Sequence, residues 1–478
     1  MSTSYTRTEA EEKLRKVFKA YDVRGLVGEQ LDADIALAVG AAFVDEVGAK
    51  GKTVVIGYDM RDSSPAFANA FAQGASKRGA NITIMGLCST DANYFASGLM
   101  DSDAAMFTAS HNPAAYNGIK MSRKGAKSMS SETGLESIRE RAVAYMVDGV
   151  EPTDKVGSIQ EEDLLVKYVE YLRKLVPLEN ARRLKIVIDA ANGMGGFISP
   201  AVLGNKAGFK ELPFEIVPMY FELDGNFPNH EANPLDVENL ADLRRKVVEE
   251  KADLGLAFDG DADRCFVVDN NGEPVPASAV AAIVAKREIE RVRSEEPKKD
   301  ISVLHSLTCS KKVLETILEH NANPIRIRVG HSFAKDEMAK TGAIFGGEHS
   351  GHFYFQKLWG ADSGMLAALH VIAEVSSSGK TMSELADDYD PYFSSGEINS
   401  KVTDAKKSTA AVIESFSENT EIDYLDGVFI SHNYNGKDFW WISLRSSNTE
   451  PLLRLNVESS SLEKMEEIRD EVLSIIRK

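Results

Sequence analysis

At 478 residues the chain is longer than one hydrophobic core usually supports, so roughly two to four domains are expected. Asp and Glu total 73 against 55 Lys and Arg, and the formal charge of −18 argues against nucleic acid or an anionic membrane surface as a general partner. No run approaches the roughly 18 apolar residues of a membrane span, and Met1–Lys19 lacks the apolar centre of a signal peptide, so a cytoplasmic protein is expected. Cys88, Cys265 and Cys309 show no C-x-x-C spacing and read as reduced core thiols, not as a zinc site.

After a polar leader, Val17 to Gly25 reads as a short extended segment ending in a glycine turn, with Arg24 as its strong cation. A helix pattern over Asp32 to Val47 precedes Thr53 to Asp59, a buried parallel strand running into an Asp/Arg/Ser turn. Ser63-Ser64-Pro65 opens the next helix with cap and first-turn chemistry. Asn81 to Gly86 and Ala104 to Phe107 are further strands, the second delivering Ser110 at its end. Met129 to Gln160 reads as a helix and a connector to a second domain. There Leu184 to Ala190 repeats the strand-into-turn theme before Asn192-Gly193-Met194-Gly195-Gly196. That cluster is no dinucleotide fingerprint, because Ile198 takes the last glycine position.

Lys251 to Phe258 is a strand ending in Asp259-Gly260-Asp261-Ala262-Asp263-Arg264, and Cys265 to Asp269 with its Asn-Asn-Gly turn reads as a hairpin. A third unit holds a helix near Val275 to Val292 and the strands Ile301 to Leu304 and Ile325 to Val329, the latter running into Gly330-His331-Ser332. From about Thr381 the texture changes to strand candidates at Val428, Phe439 and Leu452 and a helix over Leu462 to Ile476. The fold class expected is α/β, with three related mixed α/β domains and a C-terminal α+β domain. The boundaries are 1–157, 158–268, 269–378 and 379–478.

Four motifs carry chemistry. Phe107 to Pro113, continuing to Lys120, sets one hydroxyl, Ser110, on a turn beside His111, a seat for a nucleophile or a phosphate-carrying serine that is equally a surface turn. Asp259, Asp261 and Asp263 at alternate positions can turn three carboxylates toward a hard divalent cation. An EF-hand is excluded, since Arg264 and Asn270 occupy the positions that need glycine and glutamate. Mg²⁺ with a phosphoryl oxygen as a further ligand fits a site with few carboxylates, and a solvated acidic turn is the alternative. Gly346 to His352 places Glu348 and Ser350 in a glycine-rich loop suited to sugar hydroxyls, or forms a turn. Arg445, Ser447, Asn448 and Thr449 offer a guanidinium, two hydroxyls and an amide within five residues, a set that suits phosphate.

In order along the chain, Tyr21 to Gly25, Thr108 to Lys120, Asp259 to Arg264, Gly330-His331-Ser332, Gly347 to His352 and Arg445 to Pro451 resemble the α-D-phosphohexomutase superfamily, in its phosphomannomutase/phosphoglucomutase group. The resemblance implies four domains around a central cleft, each contributing a loop. It implies that Ser110 carries the phosphoryl group, with Asp259, Asp261 and Asp263 holding Mg²⁺ beside it. By the same resemblance Glu348 and Ser350 read the sugar, and Arg445, Ser447, Asn448 and Thr449 clamp the distal phosphate. Arg24, His111, Lys120, Arg264, His331 and His352 crowd the transferring group, where protons also move, with Lys120, His331 and His352 unranked as general base. The reaction implied interconverts hexose 1-phosphate and hexose 6-phosphate, of mannose or glucose, through a hexose 1,6-bisphosphate that also serves as activator, in a monomer or homodimer. His349 leaves the sugar open, so a phosphoglucosamine mutase is the near rival. Gly330-His331-Ser332-Phe333-Ala334 mimics a hydrolase elbow with Ser332 as nucleophile, a reading that leaves the aspartate and arginine loops unexplained.

Overall fold

The computed structural model describes residues 5–446 and 452–478, apart from the His331 side chain. Two compact units divide the chain. One runs to Val275 and adds Met338–Lys340 and Ser350–Ser383; the other holds Pro276–Glu337, Thr341–His349 and Glu384–Lys478. Among the described residues no helix is long and apolar enough to cross a membrane.

The first unit contains two sheets. In one, Val23–Leu26, Tyr116–Arg123, Asp103–Phe107, Thr53–Tyr58, Asn81–Leu87 and Ile159–Glu161 follow one another across the sheet. The last four pair in parallel, while the first two join antiparallel, so the sheet is mixed. Three differences from the sequence reading have local causes. The expected polar leader contains the helix Arg7–Val17, because Ala10, Leu14 and Val17 form an apolar stripe inside a charged run and Thr6 with Glu9 closes a capping box. Ser63 makes no side-chain cap to its helix; it and Ser64 instead accept from Asn117 Nδ2 at 2.7 and 2.9 Å. The connector after Leu135–Asp148 supplies Ile159–Glu161 as an edge strand.

Register sets up the functional loops. Met106 lies opposite Lys120 and Phe107 opposite Ile119, so the chain leaving the strand at Phe107 turns next to the strand that carries Lys120. Gly118 is required between them: a Cβ there would meet Val23 O at 2.4 Å and Thr108 O at 2.8 Å. In the second sheet Leu184–Asp189 pairs in parallel with Phe214–Met219 and Leu254–Phe258, and Leu254–Phe258 pairs antiparallel with Cys265–Val268. The segment Asp259–Arg264 is therefore the connection of a hairpin whose two strands are fully buried.

In the other unit Ser302–Ser306 lies between Asn323–Ile327 and Phe345–Gly347, all parallel. A separate antiparallel sheet is built on Val428–His432, Trp440–Ser446 and Leu452–Ser459, with Ala405–Ser415 and Leu462–Ile476 packed on it through Val412, Met465, Ile468 and Val472. This is the α+β texture expected from about Thr381. All three cysteines are buried and free.

Candidate active site

Phe107 leaves its strand and the backbone reaches Ser110 in the left-handed region, φ 49°, an uncommon place for a residue with a side chain. Thr108 Oγ1 accepts from Ser110 N at 2.8 Å, and Ser110 Oγ donates to Asp259 Oδ2 at 2.9 Å. The sequence thus brings together residues 149 positions apart. The two loops touch at a glycine, since a Cβ on Gly260 would stand 2.3 Å from Ser110 O. Gly260→Ala is expected to keep the fold and push the serine loop away, lowering kcat by about 100-fold through misplacement alone; steady-state rates with a thermal melt check this, and a native kcat would refute it.

Asp259, Asp261 and Asp263 are buried, and each can turn an oxygen to within 4.8 Å of the others. Lys120 Nζ bridges Asp261 Oδ2 at 2.7 Å and Asp263 Oδ2 at 2.6 Å. Thr90 Oγ1 donates to Asp261 Oδ2 at 2.5 Å, and Arg264 grips Asp259 Oδ2 through Nε and Nη2 at 3.0 and 2.9 Å. Burial works against ionisation of Asp261, yet the charge and hydrogen bond of Lys120 outweigh it and hold this carboxyl below the usual range. Asp259 is pushed up, by burial first and by the neighbouring Asp263 and Asp261, against the pull of Arg264. Burial lowers Lys120, but its two carboxylate partners more than reverse this and keep it protonated. Asp261 Oδ1 and Asp263 Oδ1 are buried with no hydrogen-bond partner among the described residues. Two orphaned carboxylate oxygens, a third carboxylate and a serine oxygen form an all-oxygen donor set that fits Mg²⁺.

His111 Nδ1 lies 2.6 Å from Arg264 Nη2, a group that can only donate, so Nδ1 accepts and the proton sits on Nε2. Burial and the charges of Arg264 and Arg24 push this histidine down to about 3, so it stays neutral. Its Nδ1 is also 3.3 Å from Ser110 Oγ. Arg24 Nη1 donates to Ala109 O at 3.3 Å and Asn112 Oδ1 at 2.5 Å, and Nη2 pairs with Asp22. His352 Nδ1 lies 2.9 Å from Asp362 Oδ2. Burial opposes a charge on His352, but the Asp362 bond and the nearby carboxylates raise it above the ordinary histidine value.

In the second unit, Glu348 is buried and its Oε1 accepts from Gly330 N at 2.8 Å. His349 Nδ1 is hydrogen-bonded to Ser278 Oγ at 3.0 Å, Ser278 Oγ also accepts from Ser310 N at 3.1 Å, and burial lowers the proton affinity of the ring. Ser332 is buried in the first turn of His331–Thr341. Arg445 Nη2 donates to Glu397 Oε2 at 2.8 Å, with Asp426 4.0 Å from Nη1. The expectations at Ser447, Asn448 and Thr449, and the side chain of His331, lie outside the described residues. Ser350 belongs to the first unit, as does His352.

Reasoning from sequence missed Asp59, Arg61, Thr90, Asp362, Glu397 and Asp426. The Asp/Arg/Ser turn after Tyr58 was the available signal for the first two. The others carry no local signature, because their partners stand at no motif spacing, from ten residues away for Asp362 and His352 to 171 for Thr90 and Asp261.

Four family models match in succession: domain I of phosphoglucomutase/phosphomannomutase over residues 15–145, domain II over 166–272, domain III over 276–392 and the C-terminal domain over 397–475. The chain belongs to the phosphoglucomutase/phosphomannomutase family. The enzyme class that goes with membership is a phosphohexomutase, an isomerase. The chain is 37% identical over 462 residues to the phosphohexose mutases protein of Xanthomonas campestris pv. campestris (strain B100), covering 96% of this chain and 98% of that one. It is 36% identical over 447 residues to the phosphomannomutase of Escherichia coli (strain K12), covering 92% and 94%. Its structure resembles the crystal structure of a phosphoglucomutase/phosphomannomutase family protein from Burkholderia thailandensis with a TM-score of 0.84 and 29% identity, over 97% of this chain and 98% of that one.

A histidine near these loops also has a fixed charge state. His230 faces two acceptors, Asp189 Oδ2 at 3.0 Å from Nε2 and Glu231 O at 2.9 Å from Nδ1, and only an imidazolium can donate to both. Burial lowers its affinity for a proton, and the bond and charge of Asp189 more than restore it. Asp189 leads into a turn that holds the aspartate loop, with Met194 N donating to Gly260 O at 2.9 Å. A raised histidine contributes stability that is complete below its unfolded pKa of about 6.5 and is lost as pH rises through the folded value. The melting-temperature gap between the native chain and His230→Gln is therefore expected to be widest below pH ~6 and to close in alkali; a gap that widens with pH would contradict this.

Proposed function

We propose that the chain interconverts the 1- and 6-phosphates of mannose or glucose, with Ser110 carrying the phosphoryl group between two transfers. The observation that carries this reading is the direct bond from Ser110 Oγ to Asp259, in a pocket of three carboxylates balanced by Lys120 and Arg264. Four domains, 1–157, 158–268, 269–378 and 379–478, would each supply one loop; the four consecutive family matches support the number and order of domains, with the second match running to 272 and the third to 392.

In the first transfer the bond from phosphorus to Ser110 Oγ breaks as one forms to the free hydroxyl of the hexose phosphate, making a hexose 1,6-bisphosphate. In the second, the other phosphate returns to Ser110 after the sugar has turned over. The protein's work is positioning and charge stabilisation. Arg24, Lys120 and Arg264 are the fixed cations of the serine site. Asp259, Asp261 and Asp263, with an oxygen on Ser110, would hold Mg²⁺, which when bound neutralises charge on the phosphoryl oxygens.

The geometry supports an order among Lys120, His111 and His352 as proton carriers. Lys120 is locked as an ammonium, and His111 is a neutral ring whose Nδ1 already accepts from Arg264. His352 donates Nδ1–H to Asp362, which makes Nε2 its basic nitrogen and raises its proton affinity toward the operating range. This favours His352 over Lys120 and His111 as the residue that exchanges a proton with the sugar hydroxyl. Glu348 and Ser350 would read the sugar, and Arg445 with Ser447, Asn448 and Thr449 would hold the distal phosphate. Assays of mannose 1-phosphate, glucose 1-phosphate and glucosamine 1-phosphate side by side, with Mg²⁺ and a trace of bisphosphate, test the function. Turnover confined to the glucosamine substrate would transfer the assignment to a phosphoglucosamine mutase.

A further inference from the structure

We infer that Arg61, which no comparison assigns a role, is the positioning residue of the serine loop: it turns that loop's carbonyls inward so that the backbone N–H of His111 is presented to the phosphoryl group. The inference rests on the reading of Ser110 as the phosphoryl carrier.

Arg61 is 2% exposed, and all five of its side-chain N–H groups are used. Nε donates to Asp59 Oδ2 at 3.2 Å. Nη1 donates to Pro113 O at 3.0 Å and Tyr116 O at 2.9 Å, and Nη2 to Ser110 O at 2.9 Å and Asn112 O at 2.6 Å. Four carbonyls of one loop thus converge on one guanidinium. Its anchor is equally fixed, for Asp59 Oδ1 accepts from Arg61 N at 3.1 Å and from Ser64 Oγ at 2.6 Å. The ring of Phe227 covers the guanidinium, with its centroid 5.1 Å from Cζ. A Cβ on Gly225 would come within 2.9 Å of Arg61 Cα, so the chain closes tightly over this residue.

The chemical consequence follows from peptide geometry. The peptide joining Ser110 to His111 is trans, so its N–H points opposite to its carbonyl. The carbonyl points at Arg61; the His111 N–H therefore points away from it. That N–H has no acceptor among the described residues. An oriented donor adjoining a phosphoryl-carrying serine is the kind of fixed dipole that stabilises an anion without reorganising. The same pull holds Ser110 at φ 49°, a conformation a serine seldom keeps unless its surroundings impose it. A lysine cannot replace this fork, since an ammonium has three donors around one point.

The test uses the full chain loaded with glucose 1,6-bisphosphate, the phosphate on Ser110 being read by mass. A native chain that takes no phosphate there overturns the Ser110 reading and this inference with it. With native loading established, Arg61→Lys is expected to melt as a folded protein and to keep its KM for glucose 6-phosphate. Its single-turnover transfer from phosphorylated Ser110 should fall at least about 100-fold. A folded Arg61→Lys protein that transfers within about threefold of the native rate, or loses only affinity, overturns the assignment of Arg61. Should that variant fail to fold, hydrogen exchange over residues 109–113 of the native chain decides: phosphorylation of Ser110 is expected to slow the His111 amide at least about tenfold, and unchanged exchange refutes the inference.

Discussion

Replacing Ser110 with alanine is expected to remove mutase turnover by more than about 10⁴-fold, because every cycle of the proposed reaction begins and ends with a phosphoryl group on that oxygen. Binding of glucose 6-phosphate should survive, since the groups proposed to hold the sugar and its distal phosphate are untouched. The variant should also stay folded. What it loses is one bond to Asp259, while Arg264 and the remaining aspartates keep their own contacts. The measurement pairs steady-state turnover with calorimetric binding of the sugar phosphate. Residual turnover within tenfold of native would place the phosphoryl carrier elsewhere.

Withdrawing divalent cations is expected to have an effect of comparable size. A metal neutralising phosphoryl oxygens contributes several kcal/mol, so chelation should cost roughly 10³-fold or more, and added Mg²⁺ should restore the rate. Asp261→Asn sharpens the test. It keeps the shape of the loop, keeps an acceptor for Thr90, and removes one of the carboxylates that Lys120 bridges. The variant is expected to need far more Mg²⁺ for half-maximal rate. Full activity after exhaustive chelation, or an unchanged Mg²⁺ requirement in Asp261→Asn, would show that the three aspartates only balance Lys120 and Arg264.

Much of the site was legible in the sequence because its chemistry is written in contiguous loops. Ser110 with His111, the alternating aspartates, and Glu348 with Ser350 each suggest a chemistry through residue type and spacing, and their shared order along the chain gives the resemblance its weight. The strand-into-turn rhythm showed why these loops sit at strand ends. What stayed hidden is what only folded contacts reveal. Nothing near Asp362 shows that its carboxylate will set the tautomer of His352, and nothing near Glu397 or Asp426 points to Arg445. The helix Arg7–Val17 was hidden for another reason, since three apolar positions do not stand out in a charged run.

The sequence by itself determined the family, the order of the functional loops and the identity of the groups that carry the chemistry, because residue type and local spacing are properties of the chain. The tertiary structure decided the charge held on Lys120 and the contacts made to the serine loop. Both are settled by contacts: Lys120 is kept protonated by two carboxylates 141 and 143 residues away, and Arg61 draws on carbonyls about fifty residues away to shape the turn at Ser110. Protonation and backbone orientation depend on the surrounding field and hydrogen-bond partners, and those exist only once the strands have paired.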